Sequence, residues 1–344
     1  MYKWYEHEAV DTTVIISSRV RLARNLRDYL FPRELSYAEA QALIDELVGA
    51  VIRDGHDIAP GLNYVEISSL SQPAMAQYAE RHAISAEMVN RNYRRGLISD
   101  THENVAIMLN EEDHVRIQGI FHGDSIYSAF DMAMRIDDHM SERLEFAFDS
   151  DFGYLTTCPT NTGTGMRASY MLHLPLMEFS GKLKNSADFI TKAGFAIRGI
   201  HGEGSESLGS IYQISNQVTL GRDENEIIKA LQNLAAQLVT RENTLRQEYL
   251  KDYRPECEDK VCRAVGILQS CRKISLSEAM SLLSDVRLGC LMGILSRQIL
   301  NCTIYNLMIN IQPFNLCELM GDVDNTRDLD INRAKYIRSQ LNFH

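Results

Sequence analysis

An α+β protein, in which an antiparallel sheet flanked by helices precedes an all-helical C-terminal domain, is what this chain of 344 residues predicts. Three observations carry that reading. Short apolar runs joined by polar or glycine-rich turns occur at 104–123 and 194–221, the pattern of strands in hairpins. Segments with apolar residues three and four apart bracket those runs, as helices packed on a sheet would. Beyond a charged stretch at 251–256 the helical period takes over.

The first helix opens at Ser36, which forms a capping box with Glu39. Ala40, Leu43, Ile44, Leu47, Val48 and Val51 then share a face, and Gly55 is the expected stop. Next, Val-Ala-Ile-Met-Leu, a polar Asn-Glu-Glu-Asp turn and the alternating Val115, Ile117 and Gly119 make a hairpin, placing Glu111 and Glu112 at its turn or a strand end. Residues 124–144 read as a helix and 153–157 as a short strand, while 166–179 fits either a helix or a buried apolar segment. A helix at 184–193 leads into strands at 194–200 and 210–221, separated by a loop made flexible by Gly202, Gly204 and Gly209. A long helix at 224–250 ends this part, and the charged stretch after it reads as a linker, with a domain boundary near residue 252. Ser275 and Glu278 make a second capping box before Leu276, Ala279, Met280, Leu283, Cys290, Leu291 and Ile294, and 330–341 is the last helix.

The composition narrows the function. Hydrophobic residues make up 45% and charged residues 24%, values of a folded globular chain. A formal net charge of -11 argues against a surface built for nucleic acid and turns attention to local anion pockets. No run of about 18 apolar residues occurs, and the first residues lack the apolar core of a signal peptide, so a cytoplasmic protein without a membrane span is expected. Six of the seven cysteines fall after residue 256 without the spacing of a zinc site or a disulfide framework. The seventh, Cys158, lies in a polar block.

Four polar blocks concentrate the chemistry: Ser-Ser-Arg-Val-Arg-Leu-Ala-Arg at 17–24, Asn-Glu-Glu-Asp-His-Val-Arg at 110–116, Cys-Pro-Thr-Asn-Thr-Gly-Thr-Gly-Met-Arg at 158–167, and Arg-Gly-Ile-His-Gly-Glu-Gly-Ser-Glu at 198–206. They bring Arg19, Arg21, Arg116, Arg167 and Arg198 to strand ends or turns, where they either converge on one face or lie solvated in surface ion pairs. Guanidinium stays charged and offers a planar fork of donors that suits phosphate. Five of them, with magnesium sharing the charge, would hold a triphosphate. No Walker motif and no protein-kinase His-Arg-Asp set is present. Glu112 and Glu203 could grip a cationic guanidinium from two sides. Its free pKa of roughly 13 means that a carboxylate can take its proton only as nitrogen attacks. Cys158, among arginines, would ionise readily and could pair with the same cation.

In this order and spacing the blocks resemble those of the phosphagen (guanidino) kinases over residues 14–250, and most closely the bacterial protein-arginine kinases of McsB type. The chain begins almost at Ser-Ser-Arg-Val-Arg, without the helical N-terminal domain of creatine and arginine kinases, and continues into a helical extension. The resemblance implies the guanidino kinase catalytic fold for 1–252 and a dimerising, regulatory helical domain for 253–344. It implies ATP and Mg2+, and transfer of the γ-phosphate to arginine side chains of proteins. Two alternatives stay open: a kinase of free arginine or another small phosphagen, and a non-catalytic phosphoarginine-binding adaptor.

By the same resemblance Glu112, Glu203 and Cys158 are catalytic. Ser17, Ser18, Arg19, Val20, Arg21, His82, Arg116, Arg167, Ala168, Ser169, Tyr170, Met171, Arg198, Gly199, Ile200, His201 and Gly202 match nucleotide-binding positions. His82 is named by the resemblance alone. Asp330 and Arg333 match an allosteric phosphoarginine pocket marked Arg-Asp-x-x-Arg-Ala, whose first arginine is Leu329 here. The implied partners are arginine-bearing protein substrates, a zinc-binding activator protein, Clp protease components and a second copy of the chain.

Overall fold

A computed structural model describes residues 2–53, 61–89, 94–201, 207–296, 300–323 and 325–341. In chain order the larger elements are β1 (Ile15–Arg24), α1 (Tyr37–Val48), β2 (Asn63–Glu66), α2 (Gln72–Glu80), β3 (Gly96–Ser99), β4 (Val105–Leu109), β5 (Val115–His122) and α3 (Ile126–Ser141). A small ribbon, β6 (Phe148–Asp149) with β7 (Gly153–Tyr154), precedes β8 (Met166–His173), α4 (Pro175–Phe179), α5 (Lys182–Lys192), β9 (Phe195–His201), β10 (Ser207–Asn216) and α6 (Glu224–Asp252). Five helices follow: α7 (Arg254–Ser270), α8 (Leu276–Leu291), α9 (Ile304–Asn310), α10 (Pro313–Met320) and α11 (Thr326–Gln340).

Among the described residues the main sheet has eight strands in the order β2-β3-β4-β5-β1-β8-β10-β9. Every neighbouring pair is antiparallel. Alternation of side chains divides each strand between two faces. On one face Val20, Leu22, Ile107, Ile117, Ala168, Tyr170 and Ile214 join a core completed by Leu43, Leu47, Ala133, Ile136, Leu231 and Leu234 of α1, α3 and α6. Gly119 lets α3 approach β5, because a Cβ there would meet the Ala129 carbonyl oxygen at 2.6 Å.

The other face is covered in parts. Over β3 and β4, Leu97, Ala106 and Met108 pack with Met75 of α2 and with Ile84 and Met88 beyond it. At one end of the central strands Ile16, Ile120, Met171 and Ile211 pack with Trp4, Ala279, Leu283, Ile304 and Leu307, so α8 and α9 close directly on the sheet. The buried Arg287 of α8 bonds Asp11 Oδ1 (3.3 Å) and the Thr13 carbonyl (2.8 Å), strapping the N-terminal segment to these helices. The uncovered part between these covers is the cleft.

The Ser36–Glu39 capping box forms as expected. Ser275 accepts from the Glu278 N–H at 3.2 Å, and α8 begins there. Gly55, the expected stop of the first helix, lies outside the described residues. Residues 166–179 differ from a single helix: they are strand β8 followed by the short α4. A central strand is apolar on the core face and partly so on the other, so it lacks the clean alternation of a half-exposed strand. The linker expected at 251–256 shrinks to Tyr253, where α6 ends and α7 begins. Among the described residues no helix is long and apolar enough to cross a membrane.

Candidate functional site

The cleft is built by register. In β1, Arg19 and Arg21 stand on the face away from the main core, with β5 on one side and β8 on the other. Arg21 lies directly opposite Arg167 of β8, and Arg116 of β5 pairs with Ala23, one pleat further along the same face. Like charges placed directly opposite each other destabilise a sheet, so this row is costly unless something anionic occupies it. Polar neighbours hold the cations in place. Arg19 donates to Gln213 Oε1 at 2.6 Å and to Ser169 Oγ at 3.4 Å, and Arg167 donates to Ser215 Oγ at 3.2 Å. Among the described residues the buried Nε atoms of Arg21 and Arg167 have no hydrogen-bond partner.

Electrostatics point the same way. Burial first, and then the neighbouring guanidinium groups, pull Arg19 down to about 10, Arg21 well below its ordinary value, and Arg167 down as well. The negative charge of a bound polyphosphate would oppose both lowering effects by favouring the charged guanidinium groups. Arg198 is exposed on β9, in register with Gln213, at the outer end of this arrangement.

At the other end of the row the cations meet carboxylates. Arg116 bonds Glu111 at 2.8 Å and Glu112 at 2.9 Å, forking across two adjacent side chains of the β4–β5 turn. Burial raises the Glu112 carboxyl, Arg116 opposes that rise, and Asp113, Glu87 and Glu111 reinforce it. Cys158 is half-buried on the facing loop, its Sγ 3.0 Å from Thr160 Oγ1. Arg21, Arg116, Arg167, Glu112, Cys158 and Thr160 all line one cavity of about 230 Å3. Cations that suit phosphate and a carboxylate and thiol that suit a guanidinium thus share one space.

Asp113 holds the two loops together. Its Oδ1 accepts from the Thr157 N–H (2.7 Å) and from Asn25 Nδ2 (2.8 Å), while Asn25 Oδ1 accepts from the His114 N–H at 2.9 Å. His114 Nδ1 in turn accepts from the Leu26 N–H at 3.0 Å. Sequence reasoning finds the block containing Asp113 and His114 but not this bracing, whose partners are distant in the chain.

Alternation sorts the remaining expected residues. Val20, Ala168 and Tyr170, expected beside the nucleotide, point instead into the core on the opposite face, where Tyr170 donates to Asp124 Oδ1 at 2.6 Å. Ser18 is a buried brace, donating to the Gly123 carbonyl (2.7 Å) and accepting from the Ser125 N–H (2.9 Å), and Ser17 is buried beside it. Ser169 contacts Arg19, whereas Met171 and Ile200 sit at the seam with the C-terminal helices. Gly199 pairs with Tyr212, and His201 pairs with Ser207 at the end of β9. Gly202 and Glu203 lie outside the described residues.

His82 joins the cleft through contacts no sequence pattern announces. Its backbone is left-handed, with φ 63°, and its carbonyl accepts from Gln118 Nε2 at 2.9 Å, between Arg116 and Ile120 on the arginine face. Its Nε2 lies 3.3 Å from the hydroxyl of Tyr305 on α9, and that hydroxyl also reaches Met171 Sδ at 2.9 Å. The ring of Trp4 stands 5.7 Å from Tyr305 and 6.2 Å from His82. In α11, Arg333 is buried and committed internally, to Asp330 Oδ1 (2.5 Å) and to the carbonyls of Ile274 (3.1 Å) and Ile311 (3.0 Å).

A sheet carrying a row of arginines that ends at carboxylates and a cysteine is the frame of a phosphotransferase acting on guanidino groups. The family model of the ATP:guanido phosphotransferase C-terminal catalytic domain matches residues 44–245, and that of the protein-arginine kinase McsB C-terminal domain matches 254–344. The chain belongs to the ATP:guanido phosphotransferase family, in the branch whose members are named protein-arginine kinases. It is 41% identical to the protein-arginine kinase of Caldanaerobacter subterraneus subsp. tengcongensis, covering 96% of this chain and 98% of that one. It is 40% identical to that of Clostridium kluyveri, covering 95% and 94%. Among solved structures, lombricine kinase superposes with a TM-score of 0.59 at 22% identity, covering 72% of this chain and 70% of that one. The duplicated taurocyamine kinase of Schistosoma mansoni, with bound transition state analogue components, gives 0.61 at 20% identity over 92% of this chain and 48% of that one. These two likenesses bear on the fold.

Proposed function

We propose that the arginine row holds the triphosphate of ATP and that Glu112, Cys158 and Glu203 hold an arginine side chain of a protein, which receives the γ-phosphoryl group. The supporting observation is the opposition of Arg21 and Arg167 beside Arg116, an array of like charges that ends at a guanidinium-binding carboxylate. An Nη lone pair attacks the γ-phosphorus in line as the bond to the β–γ bridging oxygen breaks. ADP leaves with that electron pair, and the proton displaced from Nη passes to a carboxylate. Glu112, whose affinity for a proton is raised, is the base within the described residues. With little covalent chemistry for the protein to perform, positioning and charge stabilisation supply most of the rate.

Mg2+ would bind phosphate oxygens and keep much of its water shell; Glu112, beside Arg116 and partly exposed, is the carboxylate that would accept from that shell. When bound it offsets charge on the transferred phosphoryl group. His82 and Arg198 complete the nucleotide side in this reading. The family resemblance further supports a domain division near 252, a cytoplasmic homodimer, a zinc-binding activator, and work alongside the Clp protease.

The test is transfer from ATP and magnesium to an arginine-rich protein and, separately, to free arginine. Acid-labile phosphate on the protein alone, abolished by Glu112→Gln and by Glu203→Gln, is the expected result. Label on free arginine alone would replace this reading with that of a phosphagen kinase.

A further inference from the structure

A second cavity, of about 450 Å3, adjoins the reactive cleft, and Glu87 and Glu112 line both. Among the described residues its wall also includes Pro32 and Arg33 after β1, Ala86 and Arg95, and Asn110 and Glu111. Asn110 is its most telling residue. It is 2% exposed and left-handed, with φ 56°, at the end of β4. Its Nδ2 donates to the Arg94 carbonyl at 2.7 Å, its backbone N–H donates to the His114 carbonyl at 2.8 Å, and its own carbonyl accepts from Arg95 Nε at 3.3 Å. Among the described residues its side-chain Oδ1 has no hydrogen-bond partner. The bond to Arg94 fixes which end of the amide is oxygen, since a carbonyl can accept only from the nitrogen. A buried acceptor left unmatched costs about 1–3 kcal/mol, and such groups mark places where a ligand or a water completes the bonding.

The chemistry of the wall defines the occupant. Three carboxylates, Glu87, Glu111 and Glu112, outnumber the cations Arg33 and Arg95 in this wall, which disfavours phosphate there. Arg95 is already bonded to the carbonyls of Asn110 and Glu87, and Glu111 to Arg116 and Ser85, which leaves the exposed Glu87 and Asn110 Oδ1 to receive donors. A polypeptide backbone offers an N–H at each non-proline residue and is continuous with a guanidinium lying at Glu112, so it fits this space.

We propose that this cavity is the subsite for the polypeptide carrying the acceptor arginine, with a backbone N–H of a neighbouring residue given to Asn110 Oδ1 and the chain lying along Glu87. The arginine side chain then passes Glu112 into the reactive cleft. This inference rests on the protein-arginine kinase reading and explains how a peptide would be preferred over a single amino acid.

The experiment compares a short peptide with one central arginine against N-acetyl-arginine amide, using the full chain, wild type and two variants. Glu87→Gln changes an exposed side chain. Asn110→Gly keeps the left-handed backbone accessible, with thermal unfolding as its folding control. Asn110→Gly is expected to raise the peptide KM about tenfold, the equivalent of one lost hydrogen bond of about 1.4 kcal/mol, while kcat, the ATP KM and the KM of the capped amino acid stay put. Glu87→Gln also removes a charge that acts on Glu112, so it is read by the ratio of the peptide KM to the capped amino acid KM, which is expected to rise about tenfold. An unchanged peptide KM in Glu87→Gln and in folded Asn110→Gly would overturn the subsite. Equal losses for both acceptors would also overturn it, because the residues would then be acting on the guanidinium itself. Absence of transfer from wild type to either acceptor would instead overturn the kinase reading beneath it.

Discussion

The two ends of one sheet face obey different rules. Along β5 the residues on that face run Arg116, Gln118, Ile120; along β8 they run Arg167, Ser169, Met171; along β10 they run Ser215, Gln213, Ile211. Within about four residues each strand passes from charged or polar to apolar. At the apolar end α8 and α9 bury the side chains, and packing decides their position. At the arginine end register forces like charges together, and the rest of the fold must compensate. Stability and function are therefore separated along the same strands, by about 13 Å at about 3.3 Å per residue.

The largest effect that would sharpen this contrast is at the arginine end. Arg167→Gln should lower kcat/KM by about 10²–10³-fold, the scale of losing one aimed charge-stabilising group. The variant should melt no lower than wild type, because a cross-strand repulsion goes with the charge. A variant that loses activity and also melts several degrees lower would show that Arg167 is structural, and the contrast would fail.

The apolar end predicts the reverse. Ile211→Ala removes a fully buried side chain at the seam and should destabilise the protein by about 2–5 kcal/mol. Activity per folded molecule, measured well below the melting range, should stay within about twofold of wild type.

Tyr305 sits where the ends meet, and its hydroxyl is the probe of their coupling. Tyr305→Phe keeps the ring and loses the contacts to His82 and Met171. One hydrogen bond of about 1 kcal/mol should appear as a roughly fivefold rise in the ATP KM with an unchanged acceptor KM. An unchanged ATP KM would mean that the C-terminal helices cover the sheet without touching nucleotide binding.

The smallest effect concerns the turn before His82. Glu80 accepts from the N–H groups of Phe314 (3.0 Å) and Asn315 (2.8 Å) at the start of α10, and burial pushes its carboxyl from 4.5 up to about 7. A carboxyl raised on folding favours the folded state at low pH. That contribution is complete below about 4.5 and is lost as pH rises through about 7. Glu80→Gln should therefore flatten part of the decline in melting temperature across this window; an identical slope in both proteins would dismiss Glu80 as its source.

Much of this contrast can be read from the chain, for a physical reason. Arginine, glutamate and glycine in short polar blocks are conspicuous, so Arg21, Arg116, Arg167, Glu112 and Cys158 are legible in the amino-acid sequence, and they line one cavity. The capping serines mark the starts of α1 and α8 because a cap is a local device. What stays hidden is long-range. Which face a residue takes depends on the strand's register, so Val20, Ala168 and Tyr170 share the block of their neighbours without sharing a role their side chains cannot fill. The strand β8 reads ambiguously because its neighbours, not its own sequence, make it central. The contact between His82 and Tyr305 spans 223 positions, and nothing in either neighbourhood encodes it. Asn110 gives no sign either, since an unmatched acceptor is visible only once its surroundings are.

The only tryptophan in the chain, Trp4, is buried in the seam, within 5.7 Å of Tyr305 and 6.2 Å of His82. The protein therefore carries its own optical gauge. A change in the packing of α9 against the sheet alters the surroundings of one indole and no other, so tryptophan emission reports the state of the seam without a label or background.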